Sequence, residues 1–583
     1  MIQRIVPIAD LVLIHPPSIF DFADRKAFLG PISDVVPSTP VFEMYPIGFS
    51  SIAEHLSQNR VDVRIVNLAY LMLRRPKMDV RRYLGRLRAR AFGISLHWLP
   101  HAHGAMELAR MLKEVHPDIP VIFGGYSSTY FHREIISSPF VDFIVRGDST
   151  ERAVLSLIET MKAGCDFSRV PNLTWKDNGR VVVNERVIVE AHLNDFINNY
   201  RTMFRKALKY CSLAAMTPIH DWWRYPITMM VTCRGCKNNC SFCGGSNFAM
   251  KRFLDRREVA FRDPELVARD ITDLSRFTTA PIFVVGDLRH ASDAYARTII
   301  DRLAEAKVRN HLVLELFDAA PREYFERLGG LSHVNFEISP ETHDDALRRR
   351  AGKMYTAAQM EDNISWALEN GIEKFDVFFM IGISGQDEAS VMETVEYAGE
   401  LMRRFGTRVM PFISPLAPFL DPGSLSFEHP DRYGYTVLFR TFKKHLEALE
   451  KPSWKYMLNY ETEHLSRDDI VRVTYEAGKR LNDLKRETGH INKKTHETVA
   501  RRIEENMALL KQVDRLVDRD GNPKGAGAGA QLAKLKNTDV SLTAGVICDN
   551  EEIKWPVFTS GFRFARIGLA VIGDVVRRTV RGR

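Results

Sequence analysis

The chain has 583 residues, 45% hydrophobic and 26% charged. This is ordinary globular usage, and it excludes disordered, collagen-like and mucin-like classes. The formal charge of +8 is mild for this length, so it permits an acidic partner and calls for no nucleic acid.

By length the chain suggests about four units. No run comes near the ~18 apolar residues of a spanning helix. The N-terminus lacks a small-residue cleavage site and reads as a strand, not a signal peptide. Residues 1–165 alternate strands and helices. Strands are expected at 11–14, 61–66, 91–94, 121–123 and 141–145, with helices at 46–56 and 104–115. In the second helix Met106, Leu108, Ala109, Met111, Leu112 and Val115 recur at helical spacing. Such alternation implies a parallel sheet covered on both faces. Glycines at its strand ends, Gly124-Gly125 and Gly147-Asp148, mark where such a sheet binds ligands. Residues 166–225 connect two larger units and hold a hairpin turning at Asp177-Asn178-Gly179. Residues 226–425 resume the alternation, with strands at 228–231, 282–285, 312–316, 334–338, 375–381 and 409–413. Six strand–helix steps suggest an incomplete α/β barrel with its functional loops at the strand C-termini. Residues 426–520 are helical and charged. They form either a solvated helical surface or a cap that closes the barrel mouth. Residues 521–583 hold a flexible linker beginning at Gly521 and a basic amphipathic tail. In that tail Phe562, Phe564, Ile567, Leu569, Val571 and Ile572 precede Arg577, Arg578, Arg581 and Arg583. It suits either peripheral membrane contact, which would fit a lipid-like substrate, or plain terminal packing.

Four of the seven cysteines fall between Cys233 and Cys243. A disulfide framework would scatter them through a small secreted chain. The pattern reads instead as a reducing, cytoplasmic setting and a metal site. Cys236-x-x-x-Cys240-x-x-Cys243 puts three thiolates on one loop. They can hold three irons of a 4Fe–4S cluster and leave the fourth open to a small molecule. Phe242 can shield the cluster. A zinc knuckle that also uses Cys233 is the competing reading. Its two C-x-x-C pairs lie only three residues apart, against about 12–20 in common zinc spacings.

With Phe242 before its last cysteine, the loop reads C-x-x-x-C-x-aromatic-C, and here the chain resembles the radical S-adenosylmethionine (SAM) superfamily. The resemblance implies a partial (β/α)6 TIM-type barrel whose open iron chelates SAM. Reductive cleavage of SAM then gives methionine and a 5′-deoxyadenosyl radical. Val285-Gly286-Asp287 stands where the superfamily has a Gly-Gly-Glu-type segment at the SAM amino group. FEISPETHDDALRR resembles the fourth-strand segment and turns Ser339, Glu341 or Thr342 towards SAM. Gly382 and Gly385, after the fifth strand, would let backbone approach the adenine. The competing reading for these two is a tight strand-to-helix turn.

Residues 1–165 resemble the Rossmann-like (flavodoxin-like) cobalamin-binding domain that precedes the barrel in one radical SAM class. The matching pieces include His15-Pro16-Pro17, Gly48 opening a helix, Ser95, Gly124-Gly125 and Gly147. In that class the glycine-rich strand ends form the corrin crevice. The Asp-x-His-x-x-Gly signature that gives cobalt a histidine in other cobalamin proteins is absent. That leaves His97, Trp98, His101 and His103 as cobalt-side candidates, or as packing and helix-start residues. The implied activity is cobalamin-dependent methylation of an unactivated carbon. A radical SAM reaction without methyl transfer (cyclisation, rearrangement or carbon–carbon coupling) is the alternative, and a zinc-stabilised binding protein is a third reading. A ferredoxin or flavodoxin donor and a small-molecule or lipid-like substrate go with the main reading.

Overall fold

The computed structural model describes residues 7–24, 28–36, 38–164, 166–196, 200–416, 419–535, 545–556 and 562, 563, 566, 568, 569, 572 and 573. Five short apolar strands build the N-terminal sheet: β1 (Leu11–His15), β2 (Val63–Asn67), β3 (Phe92–Ser95), β4 (Val121–Gly124) and β5 (Phe143–Val145). They are parallel in the order β2-β1-β3-β4-β5. Nearly every strand residue is buried, because helices cover both faces of a parallel sheet. The order reverses between β1 and β3, the switch point of a flavodoxin-like sheet and the place where such sheets bind ligands. The hairpin β6 (Leu173–Asp177) and β7 (Arg180–Val183) extends this sheet antiparallel from β5. It therefore belongs to the N-terminal domain rather than to the connection. Its turn residues Asn178 and Gly179 both take positive φ, as a two-residue hairpin turn requires.

The second sheet holds six parallel strands in the order β15-β14-β13-β12-β11-β8. They are β8 (Thr228–Val231), β11 (Ile282–Val285), β12 (Leu312–Leu316), β13 (Val334–Glu341), β14 (Lys374–Ile381) and β15 (Val409–Pro415). A short antiparallel pair, β9 (Cys233–Arg234) and β10 (Ala260–Phe261), follows β8. No pairing joins β8 to β15 among the described residues, so the barrel is open along one side. Alternation sorts its side chains. Leu312, Leu314, Phe336, Ile338, Phe375 and Val377 pack outward against the helices, which leaves Glu315, Glu337, Asp376 and Phe378 facing the lumen.

The C-terminal region divides. The helix Arg467–Glu487 packs on the helix Glu388–Phe405 and on β15 in the outer helical layer, whereas Tyr435 and Tyr460 reach Ser384 and Gly382 at the C-terminal end of β14. The stretch read as a flexible linker contains the helix Ala528–Lys534. Beyond it, residues 545–556 plug the barrel lumen near the N-terminal ends of its strands. Val546 and Ile547 donate backbone hydrogen bonds to buried Asp34 at 2.6 Å each. Lys374 Nζ donates to the Glu552 carbonyl at 2.7 Å, and the Trp555 ring stacks on Phe283. Most of the basic tail lies outside the described residues. Within them, Leu569 and Ile572 are exposed, and no helix is long and apolar enough to cross a membrane.

Candidate active site

The three-cysteine loop leaves the C-terminal end of β8, where a barrel presents its chemistry. Its backbone is pinned from several sides. Ser241 N–H donates to the Ala351 carbonyl at 2.9 Å and Asn247 Nδ2 to the Cys236 carbonyl at 3.1 Å. Lys237 N–H donates to His290 Nε2 at 2.8 Å and Gly244 N–H to Asp421 Oδ2 at 2.9 Å. Two sulfurs accept backbone N–H groups, Cys236 from Asn238 at 3.4 Å and Cys243 from Gly245 at 3.3 Å. Phe242 is buried and joins the large apolar core.

Burial raises the pKa of all three thiols. At Cys243 the neighbouring Asp421 and Cys240 add to that effect. Such thiols ionise only against a compensating positive charge, which a bound metal cluster provides. Their spacing separates the two metal readings. Four thiolates on one zinc lie about 3.8 Å apart. Among the described residues the one His/Cys/Asp/Glu triad with all ligand atoms within 4.8 Å is His311, His333 and Glu373. The cysteine sulfurs do not all lie within 4.8 Å of one another, a spread wider than one zinc draws together and one that leaves room for a 4Fe–4S unit. Cys233 is held apart in β9, its sulfur beside Gly286, and burial pushes its thiol up to about 11.

The residues expected around SAM divide. Ser339 lies partly accessible on the lumen side of β13. Glu341, buried at φ 69°, follows a register break in β13 and pairs with Lys353 at 3.4 Å. A non-glycine residue held at such a φ stores strain, which collects at functional sites. Burial opposes the Lys353 charge, but Glu341 and Cys240 outweigh it and hold the ammonium above its ordinary range. Thr342 is buried and bonds Thr394, so it does not open to the lumen. Asp287 is engaged by Arg289 and by the Phe317 N–H at 3.0 Å. Gly286 N–H donates to Glu315 at 2.6 Å. Sequence reading passed over Glu315, whose carboxyl burial lifts to about 7. Its signal was a charge inside the apolar run of β12. Gly382 and Gly385 sit at positive φ, yet Tyr460 and Leu347 already fill the space a Cβ would take there.

The N-terminal sheet turns its C-terminal edge to this loop. Tyr126 Oη donates to the Pro422 carbonyl at 3.1 Å, and its ring lies against Gly244. Arg256 of the barrel bonds Asp148, Ser149 Oγ at 2.8 Å and the Glu190 carbonyl at 3.1 Å. Arg234 forks onto Glu151. At this edge Gly48 faces open space, and Gly124 nearly so. Gly125 needs its φ of 113° and its missing Cβ, because the His97 backbone is 2.7 Å from where that atom would sit. Gly147, also at positive φ, and Ser95 end neighbouring strands. Two of the four cobalt-side candidates are structural. His101 Nε2–H donates to the Phe42 carbonyl at 2.9 Å, and His103 Nδ1 accepts the Phe20 N–H at 3.1 Å. His97 and Trp98 expose their side chains at the edge. An open glycine edge with an exposed indole and imidazole fits a flat macrocycle.

Comparison with known proteins agrees with both halves. The family model of the B12 binding domain matches residues 34–155, and that of the radical SAM superfamily matches residues 230–398. An anaerobic magnesium-protoporphyrin IX monomethyl ester cyclase of Rubrivivax gelatinosus is 23% identical over 329 residues, 51% of this chain and 52% of that protein. The chain thus spans about half the length of the curated relatives it matches. In fold it is similar to the radical SAM methyltransferase TsrM from Kitasatospora setae, solved with cobalamin and a 4Fe–4S cluster. The identity is 13% and the TM-score 0.52, over 74% of this chain and 81% of that one. It is also similar to the cobalamin-dependent SAM radical enzyme OxsB, solved with aqua-cobalamin and SAM. There the identity is 12% and the TM-score 0.53, over 99% and 81% of the two chains. The chain thus carries a B12-binding domain followed by a radical SAM domain, and the cofactors of these two domains are cobalamin, a 4Fe–4S cluster and SAM.

Proposed function

We propose that this enzyme methylates an unactivated carbon in a cobalamin-dependent reaction. The observation that carries the reading is the direct contact between the two cofactor regions. Tyr126, next to Gly124-Gly125, touches the loop beside Cys243, and Arg256 and Arg234 clamp the adjoining strand ends to the barrel. When bound, the cluster with SAM supplies a hydrogen-abstracting radical and cobalamin supplies the methyl group. Cys236, Cys240 and Cys243 hold the cluster. Ser339, Glu341 and Glu315 stand where they can orient SAM. Gly48 and Gly124 leave the crevice open for the corrin, and Ser95, Gly125 and Gly147 shape the strand ends around it. Holding both reacting centres against one substrate lowers the entropic cost of the reaction. Electrons come from an external donor, for which a ferredoxin or flavodoxin is the natural class.

The similarity to a ring-forming cyclase favours a second reading, radical chemistry without methyl transfer. Anaerobic reconstitution with iron, sulfide, cobalamin and methyl-labelled SAM separates the two. Methyl transfer requires both S-adenosylhomocysteine and 5′-deoxyadenosine; 5′-deoxyadenosine alone supports the cyclase-type reaction. Cys240→Ala should lower iron from about four per chain and abolish 5′-deoxyadenosine. Undiminished 5′-deoxyadenosine from that variant would overturn the cluster assignment.

A further inference from the structure

A cavity of about 250 Å³ lies between the N-terminal domain, the connecting segment and the open side of the barrel. Tyr45, Phe204, Trp222, Phe283, Phe378 and Trp555 give its character. Their polar tips turn away into protein partners. Tyr45 Oη donates to the Met216 carbonyl at 3.2 Å, Trp222 Nε1 to the Ile227 carbonyl at 2.8 Å and Trp555 Nε1 to Asp376 at 3.1 Å. The walls therefore present ring faces and hydrocarbon. The lining holds one carboxylate, Glu337, and no Lys, Arg or His.

Glu337 projects into the lumen from β13. It stands in register with Glu315 on β12 and Asp376 on β14. Its side chain makes no hydrogen bond or ion pair among the described residues, whereas Asp376 is paired with Lys374 at 3.0 Å. Burial, then Asp376 and Glu315, push the Glu337 carboxyl well above its ordinary range. The shift favours the protonated carboxyl, which donates an O–H. An enclosed donor without a partner costs free energy, which a ligand acceptor recovers.

We propose that this cavity is the substrate chamber, and that the substrate is an uncharged, mostly hydrocarbon molecule with one oxygen acceptor that reaches Glu337. The assignment rests on the radical SAM reading above. Binding pockets with apolar walls and one or two placed polar groups orient ligands in this way. An anionic head such as a phosphate meets no cation in the lining. An ammonium head would have to lose its hydration, although the aromatic faces offer it some return. The chamber also has the right position. One wall is formed by Val36, Tyr45, Ile47 and Ser50, which lie between β1 and β2 of the B12-binding sheet. Its inner end is Glu337, one strand from Glu315, which lies within electrostatic reach of Cys236. The chamber thus runs from the B12-binding domain into the barrel lumen, with its Glu337 end directed toward the cluster side.

Trp222, Trp223 and Trp555 line the cavity, so tryptophan fluorescence reports its filling. The anaerobically reconstituted full chain is titrated with 1-dodecanol, dodecylamine and dodecyl phosphate below their aggregation limits. The alcohol should bind saturably, and the two charged probes roughly tenfold more weakly or not at all. Glu337→Leu should weaken the alcohol about five- to tenfold, while Glu337→Gln, which keeps a donor, should retain it. Met229→Trp fills the cavity from β8 and should abolish binding; it decides the matter if the Glu337 variants do not fold. Tighter binding of the amine than of the alcohol overturns the proposal, as does alcohol binding unaffected by Met229→Trp. SAM cleavage is measured on the same preparations. Alcohol binding without cleavage counts against the reaction reading alone, and cleavage without alcohol binding counts against the chamber alone.

Discussion

Arg256 shows how one side chain can join two cofactor regions. It is almost fully buried, and its guanidinium meets Asp148, Ser149 and the Glu190 carbonyl. Removing one partner of a buried pair leaves an uncompensated charge, at a cost of about 3–5 kcal/mol. Arg256→Ala should therefore lower the unfolding free energy by that order, with a lower denaturation midpoint, and Arg256→Lys, which keeps the charge but loses the fork, by less. An unchanged midpoint in Arg256→Ala would remove the clamp from the argument. The three cysteines, Phe242 and the glycines of the N-terminal edge were legible as residues because short motifs name them. Glu315, Glu337 and Asp376 were not named. Each is one charge in an apolar strand, and only the pairing of β12, β13 and β14 brings the three into one row.

Among elements, the strands were the most legible. All six barrel strands were expected close to where they lie, because apolar runs bounded by turns carry a strong signal. The plug at 545–556 was missed, since its partners are remote in sequence. Asp34 accepts its backbone N–H groups across more than 500 residues, and burial lifts the Asp34 carboxyl from 3.8 to about 7. Between these values the folded protein holds a proton that the unfolded chain has released. Stability from this site is therefore full below about pH 4 and falls as pH rises through about 7. Urea midpoints measured from pH 5 to 8 should decline in the natural protein. Asp34→Asn, which keeps an acceptor without a titrating proton, should flatten that decline, and equal slopes would contradict the assignment.

For the whole molecule, the connecting segment holds the two domains together. Tyr210, Met216 and Trp222 are buried, and Asn67 of the N-terminal domain reaches the Thr217 carbonyl at 2.8 Å. One apolar core runs from the N-terminal helices through Phe242 to Trp454 and Tyr460. Domains sharing so much buried apolar contact should not move or unfold independently. Scanning calorimetry of the full chain should show one cooperative transition; two resolved transitions would mean that the interface is weak. The same closeness holds the B12-binding edge against the cysteine loop, and with it the single chamber proposed for the substrate.

The sequence by itself determined the element order, the flavodoxin-like and barrel halves and the three-cysteine loop. These rest on local periodicity and on residues spaced within one loop. The tertiary structure decided the attachment of the hairpin to the first sheet, the open side of the barrel and its C-terminal plug. It also decided the engagement of His101, His103, Asp287 and Thr342 by protein, and the isolation of Glu337. Each of these depends on which distant segment fills a space or supplies a hydrogen-bond partner, and pairings of that range leave no period in the chain.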